Sequence, residues 1–300
     1  MTRTTSVGVS AKLQYCGNGR VEDVNTAVST VVVVIHGTGR DACSYAKSTV
    51  AAASSAGVGK STLVLAPHFL SESDSHTGRL FWSSSGWKVG DRSKDTSGTS
   101  SFAVVDHVLA GITRSRYPNL RRVVVAGHSA GGQFVNRYES ASPREGVDRY
   151  VVANPSSYLY LGAKRVVGTQ TRNLTESERL ACPAFDEYKY GMQGRNAYVG
   201  AVPVSTLRAR LVQRPTTLLL GTLDTLRDSD LDTACAAEWQ GANRYERGHR
   251  YHDVHLPSEF GGQVHLMNSV VDVPAVGHSW SGIARSPQGR AALFGTAPAS

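Results

Sequence analysis

The run Val123-Val124-Val125-Ala126-Gly127-His128-Ser129-Ala130-Gly131-Gly132 places a serine at the centre of a G-x-S-x-G pentapeptide. The valines ahead of it read as a β-strand, and Gln133-Phe134-Val135-Asn136-Arg137-Tyr138 reads as a helix. A serine on a sharp strand-to-helix turn is forced into a strained backbone, and flanking glycines let the neighbouring backbone pass without a Cβ clash. The turn lifts the hydroxyl clear and aims the first amides of the helix at the same point. The chemistry this permits at Ser129 is nucleophilic attack. Without the strand and helix, the pentapeptide would be an ordinary turn with an exposed serine.

A nucleophile needs a base, an acid to orient the base, and donors for an oxyanion. Asp224 is the candidate acid, in the loop Gly221-Thr222-Leu223-Asp224-Thr225 that follows the apolar run Pro215–Leu220. Asp228 and Asp230 are rivals further from the strand end. His278 is the candidate base, in the turn Gly277-His278-Ser279-Trp280 after Val270–Val276. The apolar strand Val31–Ile35 runs into His36-Gly37-Thr38-Gly39, so the N–H groups of Thr38 and Ala130 are the candidate oxyanion donors. His36 reads as a residue that orients its loop rather than as a second base.

These segments, in this order from about residue 28 onward, resemble the α/β-hydrolase family. The resemblance implies an α/β fold with a mostly parallel, eight-stranded sheet, helices on both faces, and a site at the carboxyl ends of the strands. It implies one domain over residues 1–300, with a cap inserted after the sixth strand at about 156–205. That strand, Tyr150–Ala153, ends in Asn154-Pro155-Ser156-Ser157, without the carboxylate some members carry there. The activity implied is esterase- or lipase-like: cleavage of a small or polymeric carboxylic ester by a Ser-His-Asp triad, with no metal and no cofactor. An amidase or peptidase with the same triad, and a non-catalytic binding protein on this fold, are the alternatives.

Composition fits that class. The chain has 300 residues, is 40% hydrophobic, and carries a net charge of +8, enough to build one full core. No apolar run approaches the roughly 20 residues of a membrane-spanning helix. The cluster Arg114, Arg116, Arg121 and Arg122 flanks the amino end of the strand leading to Ser129, away from the catalytic turn. No recognised nucleic-acid-binding module accompanies it, so nucleic acid is not an expected partner. The sequence is silent on oligomeric state.

Cys16, Cys43, Cys182 and Cys235 show no C-x-x-C spacing, which argues against zinc. Four cysteines allow three pairings. With the cap and the helix after the acid loop both over the top of the sheet, Cys182–Cys235 is the preferred bridge, leaving Cys16–Cys43. The alternative is four free thiols. The first residues lack an apolar signal region. Secretion with the signal absent from the given chain is the favoured expectation, and a cytoplasmic protein is the alternative.

The remaining elements follow an α/β rhythm. Residues 41–56 and 101–115 read as helices, Leu63–Pro67 as a strand, 70–100 as a polar loop, and 229–258 as helical. Trp82 and Trp87 in that loop, with Tyr158, Tyr160 and His128 near strand ends, are expected to touch substrate. Two lookalikes are set aside. Gly57-Val58-Gly59-Lys60-Ser61 mimics a phosphate-binding loop, but a helix precedes it and a strand follows, the reverse of what such a loop needs. His249, His252 and His255 recur every three residues and would spread across a wide helical face rather than converge on a metal.

Overall fold

A computed structural model describes residues 1–7, 11–261, 264 and 267–296. Eight strands form one sheet: β1 (Thr2–Val7), β2 (Ala11–Gly17), β3 (Thr30–Ile35), β4 (Thr62–Pro67), β5 (Arg122–His128), β6 (Arg149–Ala153), β7 (Thr216–Gly221) and β8 (Asn268–Val273). Their spatial order is β1-β2-β4-β3-β5-β6-β7-β8. The pairings from β4 through to β8 are parallel. The β1–β2 hairpin adds an antiparallel edge against β4. The expected eight-stranded, mostly parallel sheet is therefore present.

A parallel sheet covered on both faces selects strands that are apolar throughout. Every residue of β3, Thr-Val-Val-Val-Val-Ile, is buried. Alternate side chains serve opposite cores. Val31, Val33 and Ile35 pack with residues of the helices α2 (Ser101–Gly111), α3 (Ala130–Ala141) and α4 (Val204–Gln213). Val32 and Val34 pack with α1 (Ala42–Ser55), α6 (Trp280–Arg285) and α7 (Pro287–Phe294). Between α4 and α6 lies α5 (Arg244–His249).

Several expectations are corrected. The helix at 101–115 ends at Gly111. The stretch 70–100 is not merely a polar loop: Leu70–Ser71 pairs with Phe81–Trp82, and a 3-10 turn follows at Gly86–Val89. The 229–258 region divides into Cys235–Glu238, α5, a π-helical turn at Arg250–His255 and Leu256–Phe260. The 156–205 segment carries a small hairpin, Arg165–Val167 against Gln170–Arg172, and a short helix at Glu176–Ala181 opened by a Thr175–Glu178 capping box.

Both expected disulfides are present, Cys16–Cys43 and Cys182–Cys235, with Cα separations of 5.0 and 5.7 Å. Of the basic cluster, Arg122 donates to the carbonyls of Ala292 and Leu293 and so satisfies the end of α7. No helix among the described residues is long and apolar enough to cross a membrane.

Candidate active site

Ser129 sits between β5 and α3 with φ 58° and ψ −121°, a conformation that costs on the order of 1–3 kcal/mol unless its surroundings enforce it. They do. A Cβ on Gly127 would overlap the Gly131 carbonyl. One on Gly132 would lie 2.6 Å from the Ala153 oxygen. The Ser129 N–H donates to Ala153 O at 3.0 Å, which fastens the turn to the neighbouring strand. Because Ala130 opens α3, its N–H has no intrahelical acceptor.

Asp224 and His278 meet across the ends of β7 and β8. His278 Nδ1 lies 2.7 Å from Asp224 Oδ2. Asp224 is 1% exposed, so its carboxylate depends on protein partners. The other oxygen faces Arg244 at 3.4 Å. Asp228 does not approach His278 by a hydrogen bond; it forms a two-pronged pair with Arg244, and that hydrogen bond, against a smaller opposing effect of burial, holds its carboxyl below the ordinary aspartate range.

Asn154, at the end of β6, joins the two loops. Its Oδ1 accepts from the Gly221 N–H at 2.9 Å, and its Nδ2 donates to the Gly277 carbonyl at 3.3 Å. Its φ of 44° is one that Asn tolerates better than most residues.

On the other side of Ser129, the loop after β3 is held by His36. Phe69 N–H donates to Nε2 at 3.1 Å, so Nδ1 carries the proton and donates to Gly37 O at 2.9 Å. Complete burial pushes the His36 pKa down to about 3, which keeps the ring neutral. That is an orienting role, as its position suggested. Tyr45 Oη lies 3.0 Å from His128 Nδ1, and its ring stacks on Trp280 at 5.9 Å. Burial, reinforced by the nearby His278 and Arg244, drives the His128 pKa well below the ordinary histidine value.

A cavity of about 560 Å³ opens over these groups. Ser129, His278, His128, Thr38, Tyr45 and Asp230 are among the residues that line it. The candidate nucleophile, base and one oxyanion residue thus share a single cleft with Asp224 directly behind His278. The four aromatic candidates do not. Trp82, Trp87, Tyr158 and Tyr160 are each 0% exposed and belong to the main core, where large apolar rings gain most from burial. Trp87 stacks on Phe69 and Tyr158 on Tyr251. The histidines spaced by three also diverge: His249 is held by Asp253 and Asp272, and His255 stacks on Tyr160. Among the described residues no His, Cys, Asp or Glu group is arranged to hold a metal.

Asn154, Tyr45 and Arg244 escaped the sequence reading. Asn154 alone left a signal, because it occupies the strand-end position that lacks the carboxylate some members carry there.

No protein-family model matches the chain. No curated protein matches it either. Solved structures do. Poly(aspartic acid) hydrolase-1 from Sphingomonas sp. KT-1 superposes with a TM-score of 0.69 at 22% identity, covering 98% of each chain. LpqC, a poly(3-hydroxybutyrate) depolymerase from Bordetella parapertussis, gives 0.68 at 22% identity, covering 100% of this chain and 91% of that one. With the sheet order, the turn at Ser129 and these superpositions together, the chain adopts the α/β-hydrolase fold.

Proposed function

We propose that this protein is a serine hydrolase that cleaves carboxylic esters through an acyl-enzyme. The observation that carries the reading is the 2.7 Å contact between His278 Nδ1 and Asp224, with His278 and the strained Ser129 on one cavity. A His278 that donates its Nδ1–H to Asp224 presents an Nε2 lone pair. That nitrogen takes the Ser129 proton as Oγ attacks the ester carbonyl, and returns it to the departing alcohol. Asp224 fixes the tautomer and stabilises the imidazolium. The N–H groups of Thr38 and Ala130 receive the oxyanion, each worth roughly 3–4 kcal/mol. Water then repeats the sequence on the acyl-enzyme.

A polymeric ester is the favoured substrate class. The cleft is bordered by small or polar residues, Gly37, Gly39, Ser44, Ser48 and Ser281, so a chain could extend beyond the scissile bond. The name of the poly(3-hydroxybutyrate) depolymerase supports a polymeric ester, whereas that of the poly(aspartic acid) hydrolase supports only a polymer, since its substrate is joined by amide bonds. The two disulfides fit an oxidising compartment.

The test is a fluorophosphonate probe together with a series of p-nitrophenyl esters and a soluble polyester. The probe should label the parent and not Ser129→Ala, and ester turnover should fall by several orders of magnitude in Ser129→Ala and in His278→Ala. Labelling or turnover that survives Ser129→Ala rejects the reading.

A further inference from the structure

Arg244 opens α5 and is 0% exposed. Its guanidinium stands between two carboxylates. Nη1 and Nη2 donate to Asp228 at 2.9 and 2.7 Å, Nη1 also faces Asp224 Oδ1 at 3.4 Å, and Nε donates to Ser156 Oγ at 3.2 Å. Asp224 is therefore shared between the His278 ring and Arg244, while Arg244 is shared between Asp224 and Asp228. The two-pronged, shorter pairing is with Asp228, and charge-assisted bonds of that geometry are the strong ones. The Asp228 side chain is 37% exposed and can be replaced without opening the core.

We propose that Asp228 and Arg244 are positioning residues for the candidate catalytic acid: Asp228 draws the guanidinium charge away from Asp224 and leaves Asp224 able to stabilise an imidazolium at His278. This rests on the serine hydrolase reading above. During attack the Ser129 proton resides on His278, so the division of charge along Asp228–Arg244–Asp224 acts on the transition state and on the pH range of activity.

The sign follows from the positions of the charges. Asp228→Asn leaves the whole guanidinium charge to Asp224 and removes a nearby negative charge. The imidazolium is then less stabilised, and the acidic limb of kcat/KM moves to lower pH, by about 0.5–1 unit. Because the same imidazolium forms in the transition state, kcat falls about tenfold with little change in KM. Arg244→Gln removes a positive charge and moves the limb to higher pH. The other groups facing His278 are unchanged in both variants: His128 packs on its ring at 4.6 Å, and Asp41 and Asp230 line the same cavity. Arg247, whose charge interacts with that of Arg244, is likewise unchanged in both.

The experiment records kcat/KM against pH for a short p-nitrophenyl ester with the full-length parent, Asp228→Asn, Asp228→Glu and Arg244→Gln. The ring titration of His278 is followed in parallel by NMR, which needs no turnover. Opposite displacements in Asp228→Asn and Arg244→Gln, with the parent profile restored in Asp228→Glu, support the proposal. A loss of packing lowers activity without moving the limb in opposite directions. If Arg244→Gln does not fold, Asp228→Asn decides: a limb and a ring titration both within about 0.2 units of the parent overturn the proposal. Failure of the hydrolase reading is separate, because it shows as turnover that survives Ser129→Ala while the NMR comparison still tests the charge division.

Discussion

Replacing Gly131 by alanine sets two effects of opposite sign against each other. Gly131 is the second residue of α3. By helix propensity alone, alanine there would stabilise by about 1 kcal/mol. The packing opposes this. A Cβ on Gly131 would lie 2.6 Å from the His36 carbonyl oxygen and closer still to that of Ile35. Ordinary contact begins at 3.4 Å, so the end of β3 and the start of α3 must part by about 1 Å. Both obstacles are backbone atoms, so no rotamer change relieves the overlap. Overpacking of this kind costs about 1–3 kcal/mol and outweighs the propensity gain. The same displacement separates the Thr38 N–H from the Ala130 N–H, the two proposed oxyanion donors. A misplacement near 1 Å can cost about 100-fold in rate. Gly131→Ala should therefore melt lower than the parent, react more slowly with a fluorophosphonate, and lose about two orders of magnitude in kcat/KM on a p-nitrophenyl ester. Gly200→Ala is the control: its Cβ would meet its first neighbour at 3.5 Å, and its melting temperature should match or exceed the parent's. A Gly131→Ala protein with unchanged melting temperature and kcat/KM within threefold would refute the reasoning.

Asp224→Asn should fold and keep its affinity for substrate while losing about 10⁴ in kcat, since an amide favours the wrong imidazole tautomer; near-parental turnover would remove Asp224 from its role. Asn154→Ala should lower both melting temperature and kcat, because it strips the Gly221 N–H and Gly277 carbonyl of their shared partner, at about 1–3 kcal/mol for each buried group left unmet; a stable, fully active variant would show that the two loops hold themselves. Peptide mapping without reductant should find Cys182 linked to Cys235, and replacing both by serine should destabilise by about 4 kcal/mol for a loop of 53 residues. His249 is raised above its ordinary value by Asp253 and Asp272 despite the opposing effect of burial. Its contribution is therefore full below pH about 6.5 and is lost as pH rises beyond that. His249→Ala should flatten the parent's fall in melting temperature across that interval, and an unchanged slope would rule the contribution out.

The sheet and the strained turn at Ser129 were legible for a common reason: both write themselves into short runs of adjacent residues. Val31–Ile35 is apolar throughout because its strand is covered on both faces, and it could be read without knowing the covering helices. The Ser129 turn carries glycines wherever backbone passes too close for a Cβ. Contacts between distant segments leave no such trace. Trp82 and Trp87 sit in a stretch rich in serine and glycine, which argued for an open loop. Yet their rings reach Asp91, Thr99, Phe69 and His36 and fill the core. Asp228 read in the sequence only as a rival acid further from the strand end, and only the return of the chain at Arg244 shows its partner. The 229–258 region reads as helical in the sequence without showing where its helices end. Asn243, which caps α5, and the π-helical turn at Arg250–His255 divide it.

The order of strands explains why the site is assembled from such distant parts of the chain. Reading across the sheet, β3, β5, β6, β7 and β8 are successive neighbours. At their carboxyl ends they deliver, in that same order, Thr38, Ser129, Asn154, Asp224 and His278. Neighbouring strands lie about 4.8 Å apart, so β5 and β7 are separated by nearly 10 Å, too far for Ser129 and Asp224 to touch. His278, in the loop after β8, contacts Asp224 and lines the same cavity as Ser129. The strand between them, β6, must then contribute something that does not compete for the imidazole. Asn154 meets that condition, because its amide is spent on the backbone of Gly221 and Gly277. A carboxylate at position 154 would lack the Nδ2 donor for Gly277 and would place a second negative charge beside the Asp224 loop. The absence of an acid after β6 and its presence after β7 are therefore one structural choice.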